Sequence, residues 1–135
     1  MFRFLKTRVK LYSKLEKTWI YPRILGLSGP VFISGPFNSN RKRNTRIVNS
    51  IAAWMKHVNS EIKPIVVHGR YDILEEDQVL IVCQMLIKGC DSVALVGPLD
   101  GSTGSQFEKC WSRTLHKQWD DFSELWQYFD ESISK

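Results

Sequence analysis

Long apolar stretches are missing from this 135-residue chain: its longest strictly apolar runs, residues 51–55 (IAAWM) and 79–83 (VLIVC), are five residues each. A membrane-spanning helix needs roughly 20, so none is expected. Cysteine is scarce too. Cys83, Cys90 and Cys110 are odd in number and form no C-x-x-C pair, which argues against a disulfide framework or a zinc site and for a reducing compartment. Neither G-x-G-x-x-G nor a Gly-Lys-Ser/Thr ending occurs, which excludes the dinucleotide fingerprint and the nucleoside-triphosphate P-loop. What is present is the composition of one globular domain, 43% hydrophobic and 12% aromatic, enough apolar material for a core and too much for a disordered chain.

Acidic residues are nearly absent from the first 28 positions. Arg3, Lys6, Arg8, Lys10, Lys14, Lys17 and Arg23 face only Glu16 there, a net of +6, whereas the remainder of the chain carries 12 basic and 13 acidic side chains. The overall +5 therefore belongs to one segment, and a nucleic-acid-binding surface spread over the domain is not expected. In that segment Phe2, Leu5, Val9, Tyr12, Leu15 and Trp19 recur at helical spacing, with Lys6, Lys10, Lys14 and Lys17 on another face. Such a helix either packs its stripe on the domain or on a second subunit, or lays residues 1–20 on an anionic membrane surface or nucleic acid. Tyr21-Pro22 and residues 26–30 (GLSGP) mark a break, so residues 1–28 are taken as a helical extension and 29–135 as the domain.

From residue 31 strands and helices alternate. Residues 31–34 (VFIS), 64–68 (PIVVH) and 92–96 (SVALV) are continuous apolar runs stopped by glycine. Helical patterns occupy about 45–58, 72–88, 105 onward and 120–132, the last with Asp120 or Asp121 as its cap. Residues 114–119 are a candidate edge strand. Continuous apolar strands alternating with helices predict a parallel, Rossmann-like α/β sheet of flavodoxin-like order, covered by helices on both faces. Ligands of such sheets sit beyond the carboxyl ends of the strands, where loops 34–44 and 97–104 should be neighbours.

Loop 97–104 (GPLDGSTG) opens a helix with glycines, hydroxyls and free amides, the components of an anion site. A plain strand–helix turn with a capping serine is the alternative reading. Glu108 lies about one turn further, where the helix dipole favours a carboxylate. A carboxylate beside a bound sugar phosphate could attack an anomeric carbon; an ordinary first-turn glutamate is the plainer alternative. Arg41, Lys42, Arg43 and Arg46 supply positive charge near a phosphate or form a solvated loop. His57, His68 and His116 have no triad or metal spacing, although His68 ends the second strand at the ligand edge. Cys83 and Cys90 read as core, and Trp111, Trp119 and Trp126 as packing or oligomer surface.

The run VFISGP (31–36), the run CDSVALV (90–96) and S-x-G-x-x-x-E (Ser102, Gly104, Glu108), in this order and spacing, resemble the nucleoside 2-deoxyribosyltransferase-like superfamily. Within it they are nearest to the 2′-deoxynucleoside 5′-phosphate N-hydrolases and their small, often phage-encoded relatives. The resemblance covers about residues 30–112. It implies a cytoplasmic N-glycoside hydrolase or transferase acting on (deoxy)nucleoside 5′-monophosphates, host-cytoplasmic if phage-encoded, working as a homo-oligomer without metal or other cofactor. Glu108 then corresponds to the nucleophile and Ser102 to the serine on the 5′-phosphate. Gly104 corresponds to the glycine that lets backbone approach the ligand, flanked by the Thr103–Ser105 amides. Ser34, Gly35 and the following loop correspond to the part around base and sugar, and Asp100 and His68 lie in the neighbouring loops.

Two positions depart from the family pattern. Phe32 stands where a tyrosine commonly hydrogen-bonds the nucleophile, and Cys83 stands where an aspartate is common. Asp77, six residues before Cys83, would substitute only with a shifted helix register. Loss of a general acid costs on the order of 10²–10⁴ in rate. A catalytically impaired protein that binds a nucleotide or nucleotide-derived signal is thus the alternative function.

Overall fold

A computed structural model describes residues 2–37, 40–71, 73–98 and 103–134, with the side chains of all of these except 2–6, 103 and 134. Two helices, α1 (Phe2–Glu16) and α2 (Ile20–Leu25), precede an alternation of strands and helices. These are β1 (Gly29–Ser34), α3 (Arg41–Val58), β2 (Ile62–Ile65), α4 (Glu76–Lys88), β3 (Ser92–Leu95), α5 (Thr103–Thr114), β4 (Gln118–Asp121) and α6 (Leu125–Ser134). The four strands form one parallel sheet in the order β2-β1-β3-β4. This is the Rossmann-like α/β architecture, with the flavodoxin-like strand order, that continuous apolar strands predict.

The pleat sends alternate side chains of the central strands to opposite faces. Val31 and Ile33 of β1, with Ala94 of β3 and Val96, meet α3, α6 and the N-terminal helices in one core cluster. Phe32 and Val93 point the other way, into a smaller cluster with Val79, Cys83 and Ile87 of α4. Trp54 of α3 is fully buried against Phe129 of α6, ring centroids 6.2 Å apart. Between β1 and β3 the chain changes winding direction, so the β1–α3 and β3–α5 connections diverge from one crevice. That crevice is the topological switch point of the sheet. Gly97 seals its base: a Cβ there would come within 2.5 Å of Pro36 Cδ and 2.9 Å of Trp126.

The N-terminal segment shares the main core rather than standing apart from it. Leu15, Ile20, Ile24 and Leu27 are buried with β1 and α3. Asn59 fastens the join, donating through Nδ2 to Leu27 O (2.6 Å) and Ile24 O (3.1 Å). Of the expected apolar stripe, the side chains of Phe2 and Leu5 lie outside the described residues, and the other four divide, with Leu11 joining the inner group. Leu11, Tyr12 and Leu15 pack inward, whereas Val9 and Trp19 stay exposed. Pro22 does not break the chain either. It lies in the first turn of α2, where a missing N–H removes no helical bond.

Several boundaries differ from expectation. α3 starts at Arg41 rather than near 45, with Asn40 Oδ1 accepting from Arg43 N (3.4 Å) as its cap. β2 runs over 62–65, leaving Val66, Val67 and His68 buried beyond its end. Pro64 is tolerated because β2 is an edge strand. α4 starts at Glu76, where Glu75 N donates to Gln78 Oε1 (2.9 Å); Asp72, the expected start, lies outside the described residues. Finally, Asp120 and Asp121 end β4 instead of capping a helix, and α6 begins only at Leu125. Asp121 Oδ1 accepts from Ser123 N (2.9 Å), an Asx turn that looks like a helix cap in sequence. The edge strand expected over 114–119 forms at 118–121. A Schellman closure of α5 takes up the preceding residues, with His116 at φ 57° in the place glycine usually fills.

Candidate functional site

Ser34 is the last residue of β1 and Glu108 the sixth of α5, so the sheet order alone brings the two together at the switch point. Ser34 is fully buried, and its Oγ is hydrogen-bonded to Ser105 Oγ (3.1 Å), itself fully buried in the first turn of α5. Glu108 is 5% exposed. Its Oε2 is buried and accepts no hydrogen bond from any described residue. Removal of its carboxyl from water pushes its pKa from 4.5 up to about 8, and the Ser34 hydroxyl offsets part of that rise. At neutral pH the folded protein therefore holds Glu108 mostly as the neutral acid.

Cys83 of α4 is buried near this carboxyl. Burial first, and the charge of Glu108 second, raise its thiol pKa far above the ordinary value, so it stays a neutral thiol. Phe32 is fully buried in the same cluster. Phe32 and Cys83 thus give this cluster an apolar or nearly apolar surface. Asp77 does not add an acid to it. It is exposed in the first turn of α4, where Oδ1 accepts from Gln78 N (3.0 Å).

The remaining sequence candidates divide clearly. Gly104 is not imposed by packing, since a Cβ there would meet Glu108 Oε1 and Leu80 Cδ2 at an ordinary 3.9 Å. Gly35 is tighter: a Cβ would come within 3.1 Å of Val48 Cγ2 of α3 and 3.4 Å of Val96 Cγ2, so a larger residue there would press on these two valines. Arg43 turns away from the crevice to Asp130 of α6, donating from Nε to Oδ1 (2.8 Å) and from Nη2 to both Oδ1 and the carbonyl. Arg41 lies over the Phe37 ring (4.8 Å), and Phe37 packs edge-on against His68 (5.3 Å). His68 is buried and donates Nε2–H to Pro36 O (2.7 Å), tying the end of β2 to the loop after β1. Ser102 and Asp100 lie outside the described residues, as does the side chain of Thr103.

The Ser34–Ser105 bond and the approach of Cys83 to Glu108 are features that sequence reasoning missed. The only available signal for the first was a serine ending a buried strand just before Gly-Pro. Among the described residues no group of three or more His, Cys, Asp or Glu is placed to hold a metal ion, and no helix is long and apolar enough to cross a membrane.

The chain is thus a Rossmann-like α/β protein with a buried glutamate at its switch point, one of whose oxygens has no partner among the described residues. Compared with known proteins, it matches no family model, no curated protein and no solved structure.

Proposed function

We propose that the switch-point crevice binds a (deoxy)nucleoside 5′-monophosphate and that Glu108 cleaves its N-glycosidic bond. The observation that carries this reading is the buried Glu108 Oε2, which has no hydrogen-bond partner among the described residues, beyond the carboxyl ends of the strands. Leaving a buried carboxyl oxygen unpaired costs about 1–3 kcal/mol, a cost a protein structure seldom keeps without use for the group. The first amides of α5 have no intrahelical acceptor and suit a phosphate, with Ser102 as an added donor. Gly104, unforced by packing, leaves room for that approach.

Ionised Glu108 would form a bond to C1′ while the C1′–N bond breaks, its electron pair leaving with the base, which takes a proton from solvent. Water then hydrolyses the glycosyl ester to the sugar phosphate, or a second base intercepts it. Such a substrate places the reaction in a cytoplasm, that of a host cell if the chain is phage-encoded.

The apolar surroundings supplied by Phe32 and Cys83 favour a second reading, a nucleotide-binding protein that turns its ligand over slowly or not at all. Incubation with a panel of nucleoside and deoxynucleoside monophosphates, following free base by chromatography, separates the two. Base release that disappears in Glu108→Ala is the expected result. Tight binding of intact nucleotide without release would overturn the enzyme reading and leave the binding one.

We further propose a homo-oligomer assembled through α4 and α5. Ile81 and Met85, one helical turn apart on α4, are exposed (59% and 67%), as is Phe107 on α5, next to the helix face that carries Glu108. Light scattering should give a mass of at least two chains, reduced to one chain by Met85→Glu; a monomeric wild type would sink this part of the reading.

A further inference from the structure

We infer that the outer side of α1 and the turn after it form a docking surface for an anionic lipid membrane. Charge supplies the first argument: seven basic residues and one acid lie in the first 28 positions, while the rest of the chain is slightly acidic. Charge alone would fit any polyanion, and the apolar side chains are what select lipid. Of the seven large apolar residues exposed among the described residues, three belong to this segment: Val9 (64%), Trp19 (61%) and Leu25 (50%).

The domain itself does not cover them. The inner side of α1 is spent on Leu11, Tyr12 and Leu15, which pack on the main core, with Tyr12 also against His57 of α3 (5.3 Å). Val9, Ser13 and Lys17 are exposed, and helical spacing puts them on the side away from Leu11 and Leu15; Lys10 and Lys14, also exposed, flank that side along the edge of α1 that meets Tyr128 and Glu131 of α6. Trp19, in the turn between α1 and α2, is held in place. The Arg23 guanidinium lies over both the Trp19 ring (4.8 Å) and the Phe122 ring (4.6 Å), and it pairs with Asp120 at 3.5 Å. An indole and aliphatic side chains among lysines suit the boundary between headgroups and acyl chains, where apolar groups enter and ammonium groups stay with phosphate. A nucleic-acid backbone would engage the same lysines but gain nothing from Val9 and Leu25.

The surface is independent of the switch-point site, and it is tested on the full chain by cosedimentation with extruded vesicles. Vesicles containing about a third phosphatidylglycerol in phosphatidylcholine should bind at least tenfold more tightly than phosphatidylcholine alone, and less so as salt is raised. The Lys10→Glu/Lys14→Glu/Lys17→Glu variant, altered only at exposed positions, should bind anionic vesicles on the order of a hundredfold more weakly. Acyl-chain-brominated lipid should quench the tryptophan fluorescence of the wild type more than that of Trp19→Phe. Indifference to lipid charge, unchanged binding by the triple variant, or equal quenching in Trp19→Phe would each overturn the proposal. So would tighter binding to duplex DNA at the same ionic strength, which would assign the face to nucleic acid.

Discussion

Glu108→Gln is expected to abolish base release and, at the same time, to stabilise the protein at alkaline pH. The two effects share one cause. Burial raises the folded-state pKa of Glu108 from 4.5 to about 8, so between these values the folded chain keeps a proton that the unfolded chain has lost. Stability then falls as pH rises across that interval, because the unfolded state binds fewer protons. The stabilising contribution is complete below about pH 4.5 and gone above about pH 8. A shift of this size corresponds to roughly 3–5 kcal/mol.

Glutamine has nearly the same shape and no proton to lose. Urea unfolding should find variant and wild type close at pH 5, with the variant ahead by several kcal/mol at pH 8.5. Parallel stability curves for the two proteins would show that Glu108 is not held neutral by burial. The wild-type rate should move oppositely to its stability. A nucleophile must be ionised, so kcat/KM should climb with pH and level off above about 8.

Cys83→Asp, which sets a second carboxyl near Glu108, should destabilise the protein strongly. Cys83 is 3% exposed and clustered with Phe32, Val79, Ile87 and Val93. A carboxylate there would lose its hydration with no cation in the cluster to replace it, and it would repel Glu108. The expected loss is about 3–5 kcal/mol at pH 8, where both acids tend to ionise. It should be smaller at pH 5, where the new carboxyl, its own pKa raised, remains protonated. Combining the change with Glu108→Gln should recover part of the loss, a coupling that a double-mutant cycle reads directly. Cys83→Ser controls for volume. If Cys83→Asp matches the wild type at pH 8, water reaches this pocket and the acid would be tolerated there.

The strands that were legible in the sequence are those buried on both faces. VFIS and SVAL have no polar side to interrupt the run, and their continuity alone predicts a parallel sheet. β4 (QWDD) was obscured because an edge strand needs no such run: its residues are exposed or half-buried, and its aspartates mimic a helix start. The candidate site was legible in part for a similar reason. Chain order places Ser34 at the carboxyl end of β1 and Glu108 early in the helix that follows β3, and the parallel fold then makes them neighbours. The contacts of Gly35 and Arg43 were not legible. Val48 and Asp130, their respective neighbours, lie on helices whose register against β1 and α3 is set by core packing.

The sequence by itself determined the sheet and its parallel sense, the position of Glu108 at the ligand edge, and the confinement of positive charge to the first 28 residues. All of these follow from local pattern and chain order. Only the tertiary structure decided that burial raises the Glu108 pKa, that Cys83 lies near it, and that Val9 and Trp19 face outward while Leu11 and Leu15 face in. Burial is a collective property: the water excluded from a carboxyl, or left on a tryptophan, depends on elements far apart in the chain packing in one particular register.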